Sequence, residues 1–276
     1  MLKTRLITAF VMLVLFLGAL FWLPPRAWAA FTGALLIPAA WEWGRLIKLR
    51  PAACALYVVL VAAACASLFG WEQKDNPIGQ AGVQTAVFMG ASLFWMVVVP
   101  VWLWRSSLPR SRWLGALTGL VVLVPTWLAL VELRVLGPWL LLLLMSVAWI
   151  SDSAAYFAGR RFGRHKLAPS ISPGKSWEGV AGAVLAVCAY AVLWGYAWQQ
   201  YFPPAVKSMR FGAIGMLLFL WLLTAIGIYG DLFESALKRQ AGVKDSGVLL
   251  PGHGGVLDRI DAITAVLPVA ALAYLP

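Results

Sequence analysis

The residues best suited to chemistry lie between Asp231 and Asp261. There Asp231, Glu234, Asp245, Asp258 and Asp261 alternate with Lys238, Arg239, Lys244, His253 and Arg259, between two strongly apolar segments. Such a mixture is costly beside a bilayer and marks a functional site. If the helix before Gly230 continues past it, Asp231, Ser235 and Lys238 fall at i, i+4 and i+7, so a carboxylate, a hydroxyl and a cation share one face, with Arg239 beside them. Glu234 falls on the flank of that face, where an exposed i,i+4 pair with Lys238 is expected.

The run Pro251-Gly252-His253-Gly254-Gly255 stands just before the last apolar segment. Its glycines permit left-handed backbone, and successive N–H groups at a helix start suit an anion. A plain tight turn accounts for it equally well, and it is neither a Walker motif nor a dinucleotide fingerprint, because Leu257 stands where a third glycine is required. Asp258 and Asp261 follow at i and i+3 in the first turn of that helix, with Arg259 between them. One carboxylate there complements the helix dipole; two, with Asp231 nearby, suggest a hard cation. Oxygen ligands without cysteine favour Mg²⁺ over zinc, and Mg²⁺ held by few carboxylates implies a phosphate-bearing ligand.

A second cluster begins with Ser151, Asp152 and Tyr156 and runs through the basic, glycine-containing stretch from Gly159 to Gly179. Lys175 follows Ser172-Pro173-Gly174 and precedes Ser176-Trp177-Glu178 at a helix start, where a cation and N–H groups together would hold an anion. Asp152 lies within an apolar segment and requires a partner, for which these cations are the candidates.

The elements that must position these residues are membrane helices. Apolar residues make up 62% of the 276 positions and Asp, Glu, Lys and Arg only 12%, far from the composition of soluble domains. The net charge of +11 does not indicate nucleic acid, since the basic residues sit in short loops between apolar runs. The first apolar run, Leu6 to Leu23, follows Lys3 and Arg5 and precedes an Ala27-Trp28-Ala29 that resembles a cleavage site. It is long enough to span, so a retained helix is expected rather than a secretory signal. Further spans are expected near 27–47, 52–70, 82–104, 113–131, 138–158, 177–199, 211–230 and 256–275. The fold class is therefore an all-α polytopic integral membrane protein with about nine transmembrane helices, a cytoplasmic N-terminus and a C-terminus outside. With that topology, seventeen of the 22 Lys and Arg face the cytoplasm, as the positive-inside rule requires. It places the loops 159–176 and 231–255 together on that side, and Lys207 and Pro276 opposite. Residues 1–276 form one transmembrane domain, in which 1–137 are mainly scaffold and 138–276 carry the site. The three cysteines, Cys54, Cys65 and Cys188, lack metal-ligand spacing and are expected to be packing residues.

From Ser235 to Asp261 the chain reads S-x-L-K-R-x4-K-D-x-G-x2-L-P-x-H-G-G-V-x-D-R-I-D. This resembles the signature of the phosphatidate cytidylyltransferases, the CDP-diacylglycerol synthases, without departure. The SDSAAY at 151–156, the SPGKSWEG at 172–179 and the GDL at 230–232 are also similar to that family. The resemblance implies transfer of the cytidylyl group of CTP to phosphatidate, giving CDP-diacylglycerol and pyrophosphate for phospholipid biosynthesis, at the cytoplasmic side of the bacterial inner membrane. It implies Mg²⁺ on Asp231 and Asp258, with Asp261 third, and Lys238 and Arg239 as catalytic cations. It also implies substrate contacts at Asp152, Lys175, Ser176, Ser235, Lys244, Asp245, His253, Gly254, Gly255, Arg259 and Asp261, and a homodimer. A phosphate monoester is largely dianionic at neutral pH, so this chemistry needs charge neutralisation more than a base, and His253 is expected to contact phosphate or shape the turn. A CTP-dependent lipid kinase and an ion-coupled transporter are the alternatives; clustering of charge at one face speaks against the transporter.

Overall fold

Prolines punctuate the chain. In the computed structural model, which describes residues 2–72, 77–201, 212–250 and 252–274, α1 (Leu2–Trp22) is followed by α2 (Pro25–Leu46), α3 (Pro51–Glu72) and α4 (Pro77–Leu93), each opening on proline. A missing N–H is harmless in a first helical turn, and the fixed φ favours it. Pro100 acts differently. With no N–H to continue the α-helical ladder, it follows a π-helical turn, Phe94–Val98, whose register passes to α5 (Val99–Trp104) through a bond from Val99 N to Phe94 O. After α6 (Arg112–Leu136), α7 (Pro138–Phe162) again begins on proline. A hairpin that the hydropathy pattern does not foreshadow comes next, with β1 (Lys166–Ala168) antiparallel to β2 (Ser172–Ser176). α8 (Trp177–Tyr201), α9 (Ala213–Ala241) and α10 (Leu257–Tyr274) complete the order.

The chain is an all-α integral membrane protein. Taking α4, the π turn and α5 as one rod, the described residues form nine helical rods, of which six are long and apolar enough to cross a membrane. The other three are α1, α2 and α10. In α1 the stretch Ile7–Trp22 is apolar; α2 is diluted by Pro38, Glu42 and three tryptophans, and α10 carries Asp258, Arg259 and Asp261. Lys207 and Pro276 lie outside the described residues.

α10 is the axis of the bundle. It packs against α2, α4, α6, α7 and α9, and every side chain from Ala262 to Ala271 is buried. Within a bilayer, helices associate through close packing and polar contacts rather than expulsion of water. α2 and α6 use both: Trp28 Nε1 donates to Leu130 O at 2.9 Å, Trp43 Nε1 to Gly115 O at 2.9 Å, and Trp127 Nε1 to Ala29 O at 3.2 Å. These pairings run antiparallel along the two helices. Phe233 of α9 is anchored by a tilted contact with Trp43 of α2, edge contacts with Phe94 and Trp95 of the π turn, and a stacked contact with Trp102 of α5.

The crossing of α9 and α10 sets the site. A Cβ on Gly230 would stand 2.7 Å from Asp261 O and 3.0 Å from the Ala265 Cβ, so only glycine permits this approach. The next residue of α9 is Asp231, which is thereby held beside Asp261. Gly230→Ala should cost about 1–3 kcal/mol through overpacking and lower turnover along with thermal stability in detergent. Unchanged stability and turnover would show that the crossing relaxes freely.

Candidate active site

Five carboxylates and two lysines meet where α7, β2, α9 and α10 converge. Asp231, half-buried on α9, accepts a hydrogen bond from Ser235 Oγ at 3.2 Å on Oδ1, and its Oδ2 lies 2.5 Å from Lys175 Nζ of β2. The pairing of Asp231 with Ser235 is the i,i+4 contact expected from their spacing. Asp152 of α7 lies in electrostatic range of both Asp231 and Lys175, while the close ion pair of Lys175 is with Asp231. Asp261 of α10 faces the negative charges of Asp231, Glu234 and Asp152, and its own Oδ1 accepts from Ala262 N at 2.8 Å.

Lys238 holds the second half of the cluster. Its Nζ is 2.6 Å from Glu234 Oε2 and 2.6 Å from Asp258 Oδ1, with the directed hydrogen bond going to Asp258. Neither Glu234 oxygen receives a well-directed hydrogen bond. Glu234 is not the exposed residue its spacing suggested: only 4% of it is accessible. The i,i+4 pair with Lys238 exists, but α10 covers that flank of α9, so the pair is internal and includes Asp258.

The glycine turn is filled from within the protein. Gly252 and Gly254 take left-handed backbone with φ of 77° and 82°, as the composition of the run suggested. Leu250 N bonds to Gly254 O and His253 N to Leu250 O, which makes His253 part of the turn itself. Several of the N–H groups expected to gather phosphate have protein partners. Gly255 N donates to Asp258 Oδ2 at 2.8 Å, while Val256 N and Leu257 N donate to the two oxygens of Glu42 at 3.0 and 2.9 Å. Asp258 Oδ2 also receives Ser246 N and Ser246 Oγ, both at 2.9 Å.

Glu42 is the functional candidate that the motifs did not contain. It belongs to α2, more than 200 residues away in sequence, and only 4% of it is exposed. Its one sequence signal was an acid inside an apolar segment.

The other named residues divide clearly. Ser176 is buried and caps α8, its Oγ accepting Gly179 N at 3.2 Å. Glu178 secures the base of the hairpin to His165, at 2.7 Å. Arg239 donates to Ile171 O at the hairpin tip and, with Arg110, lines a cavity of about 580 Å³ on another face of α9. Arg110, in the loop between α5 and α6, thus borders a cavity. Lys244, Asp245 and Arg259 are exposed around the turn.

Among the described residues no three acids, histidines or cysteines are already gathered in metal-holding geometry. The donor set nevertheless suits a hard cation, because Asp152, Asp231, Glu234, Asp258 and Asp261 share only Lys175 and Lys238.

A bundle of apolar helices that gathers five carboxylates and two lysines is the framework of a membrane enzyme, and its class comes from known relatives. The profile of the cytidylyltransferase family matches residues 3–275. A phosphatidate cytidylyltransferase from Pseudomonas aeruginosa is 39% identical over 98% of this chain and 96% of its own length. Those from Haemophilus influenzae and Brucella suis biovar 1 are 33% and 34% identical, each over 99% of this chain and over 99% and 92% of their own lengths. The chain belongs to the cytidylyltransferase family.

Removing one member of a buried ion pair strands the others, which typically costs about 3–5 kcal/mol. Lys238→Met should therefore lower the thermal midpoint of the purified protein markedly, and Glu234→Gln combined with Lys238→Met should recover part of the loss. An unshifted midpoint in Lys238→Met would show that the pocket is open to water.

Proposed function

We infer that the protein transfers the cytidylyl group of CTP to phosphatidate, forming CDP-diacylglycerol and pyrophosphate. The observation that carries this reading is near full-length similarity to relatives bearing the name phosphatidate cytidylyltransferase, joined to a charged pocket built on membrane helices. A phosphate oxygen of phosphatidate attacks the α-phosphorus of CTP. A new P–O bond forms, the bond between the α-phosphorus and its bridging oxygen to the β-phosphorus breaks, and pyrophosphate leaves with that electron pair. The nucleophile is already anionic, so no residue need remove a proton.

The chemistry brings two polyanions into a pocket that is itself rich in carboxylates, and this supports Mg²⁺ as the cofactor. Asp231 and Asp261 would hold it, with Asp258 alongside; of the three, Asp258 has its oxygens most fully engaged by protein donors. When bound, the ion supplies charge neutralisation at the phosphates. Lys175 orients Asp231 and adds positive charge beside it. Lys238 fixes Asp258 relative to α9. Arg239 and Arg110 offer cations at the neighbouring cavity.

The distribution of Lys and Arg supports nine crossings, an N-terminus in the cytoplasm and a site opening to that side of the bacterial inner membrane. A homodimer accords with the family resemblance.

Two experiments test this. Purified protein given phosphatidate and Mg²⁺ should move label from the α-phosphate of CTP, not the γ-phosphate, into lipid, and Asp231→Asn should lower that rate by about 10³-fold. Label from the γ-phosphate would identify a lipid kinase. For topology, a cysteine placed at Ser170, on the exposed hairpin, in a background without Cys54, Cys65 and Cys188, should resist membrane-impermeant thiol reagents in intact cells and react after lysis. Labelling from outside would invert the arrangement.

A further inference from the structure

A helix N-terminus leaves several N–H groups without intrahelical partners and carries partial positive charge. At α10 these groups converge on a side chain from the far end of the chain. Glu42 takes Val256 N on Oε1 and Leu257 N on Oε2, and Oε2 lies 3.0 Å from Ser246 Oγ. The same Ser246 oxygen is 2.9 Å from Asp258 Oδ2. Because a hydroxyl has one proton, Ser246 serves Glu42 or Asp258 at any moment and couples the two carboxylates.

The surroundings are shaped for this acid. A Cβ on Gly247 or Gly255 would collide with the Glu42 carboxyl group, so both glycines leave the volume it fills. Its backbone neighbour Trp43 donates to Gly115 O and packs on Phe233, the residue just before Glu234. α2 is thus fixed against α6 and α9, and through Glu42 it sets both the start and the rotation of α10. That rotation decides where Asp258 and Asp261 point.

We propose that Glu42 is a positioning residue for cytidylyl transfer: a built-in anion occupying the start of α10, where a ligand phosphate would otherwise bind, and orienting Asp258 and Asp261 through the turn it closes. This rests on the reading of the pocket as the site of transfer. It also assigns the N–H groups of Gly255, Val256 and Leu257 to helix capping instead of phosphate binding.

The test is Glu42→Gln, which keeps size but replaces one acceptor with an NH₂ group facing the helix N–H donors. Misplacing catalytic groups by a fraction of an ångström reduces turnover while leaving substrate contacts in place. In purified protein, kcat should fall about tenfold or more with KM for CTP within about twofold of wild type, and amide exchange at Val256 and Leu257 should quicken. Wild-type kcat, or a raised KM at unchanged kcat, overturns the proposal. If Glu42→Gln does not accumulate as folded protein, Ser246→Ala decides: lower kcat at constant KM supports the coupling, and unchanged kcat overturns it. Asp261→Asn, measured in parallel, separates the two levels. A fully active Asp261→Asn defeats the reading of the pocket itself, whereas an inactive Asp261→Asn beside a normal Glu42→Gln defeats only the role given to Glu42.

Discussion

Burying negative charge among apolar helices is the constraint on which this structure depends. An isolated ionised carboxylate cannot remain inside a low-dielectric bundle without compensation. The protein meets that cost in two ways. Glu42 and Asp258 lie at the N-terminus of α10, where backbone N–H groups and the helix dipole receive them. Asp231, Glu234 and Asp258 share Lys175 and Lys238. Asp152 and Asp261 are left with less compensation than the others, an imbalance that the proposed Mg²⁺ would relieve.

Helix packing follows from the same requirement. Compensation works only if α9, α10 and β2 approach to hydrogen-bonding distance, and that closeness is set by Gly230 against Asp261 and Ala265. The aromatic cluster around Phe233 holds the opposite flank of α9. Sites raised on packed helices are more exact than sites on loops. Here even the glycine loop is drawn into the scaffold, with Leu250, His253 and Gly254 bonded to one another and Glu42 closing its end.

Much of this was legible because it is local. Helical spacing put Ser235 beside Asp231 and Lys238 beside Glu234, and both contacts form. Hydropathy placed apolar segments near 52–70 and 138–158, where α3 and α7 lie, and glycines marked left-handed turns at Gly252 and Gly254. Whatever depended on an element distant in sequence was hidden. Spacing could not reveal that α10 lies over Glu234, nor that Lys238 would reach Asp258 twenty residues on. The hairpin at 166–176 is short and polar, so periodicity carries little signal there. Glu42 was visible only as an acid in the wrong company; its meaning comes from a contact between the second helix and the last.

The central place of α10 has a consequence for how the protein is made. A chain leaves the ribosome from its N-terminus, so α2, α4, α6, α7 and α9 enter the membrane before the helix they surround. Until α10 arrives, Glu42 lacks the Val256 and Leu257 N–H groups that receive it, and Lys238 lacks Asp258. The last helix to be synthesised is therefore the one that brings Asp258 and Asp261 to the site, so a chain cut short before it would lack both.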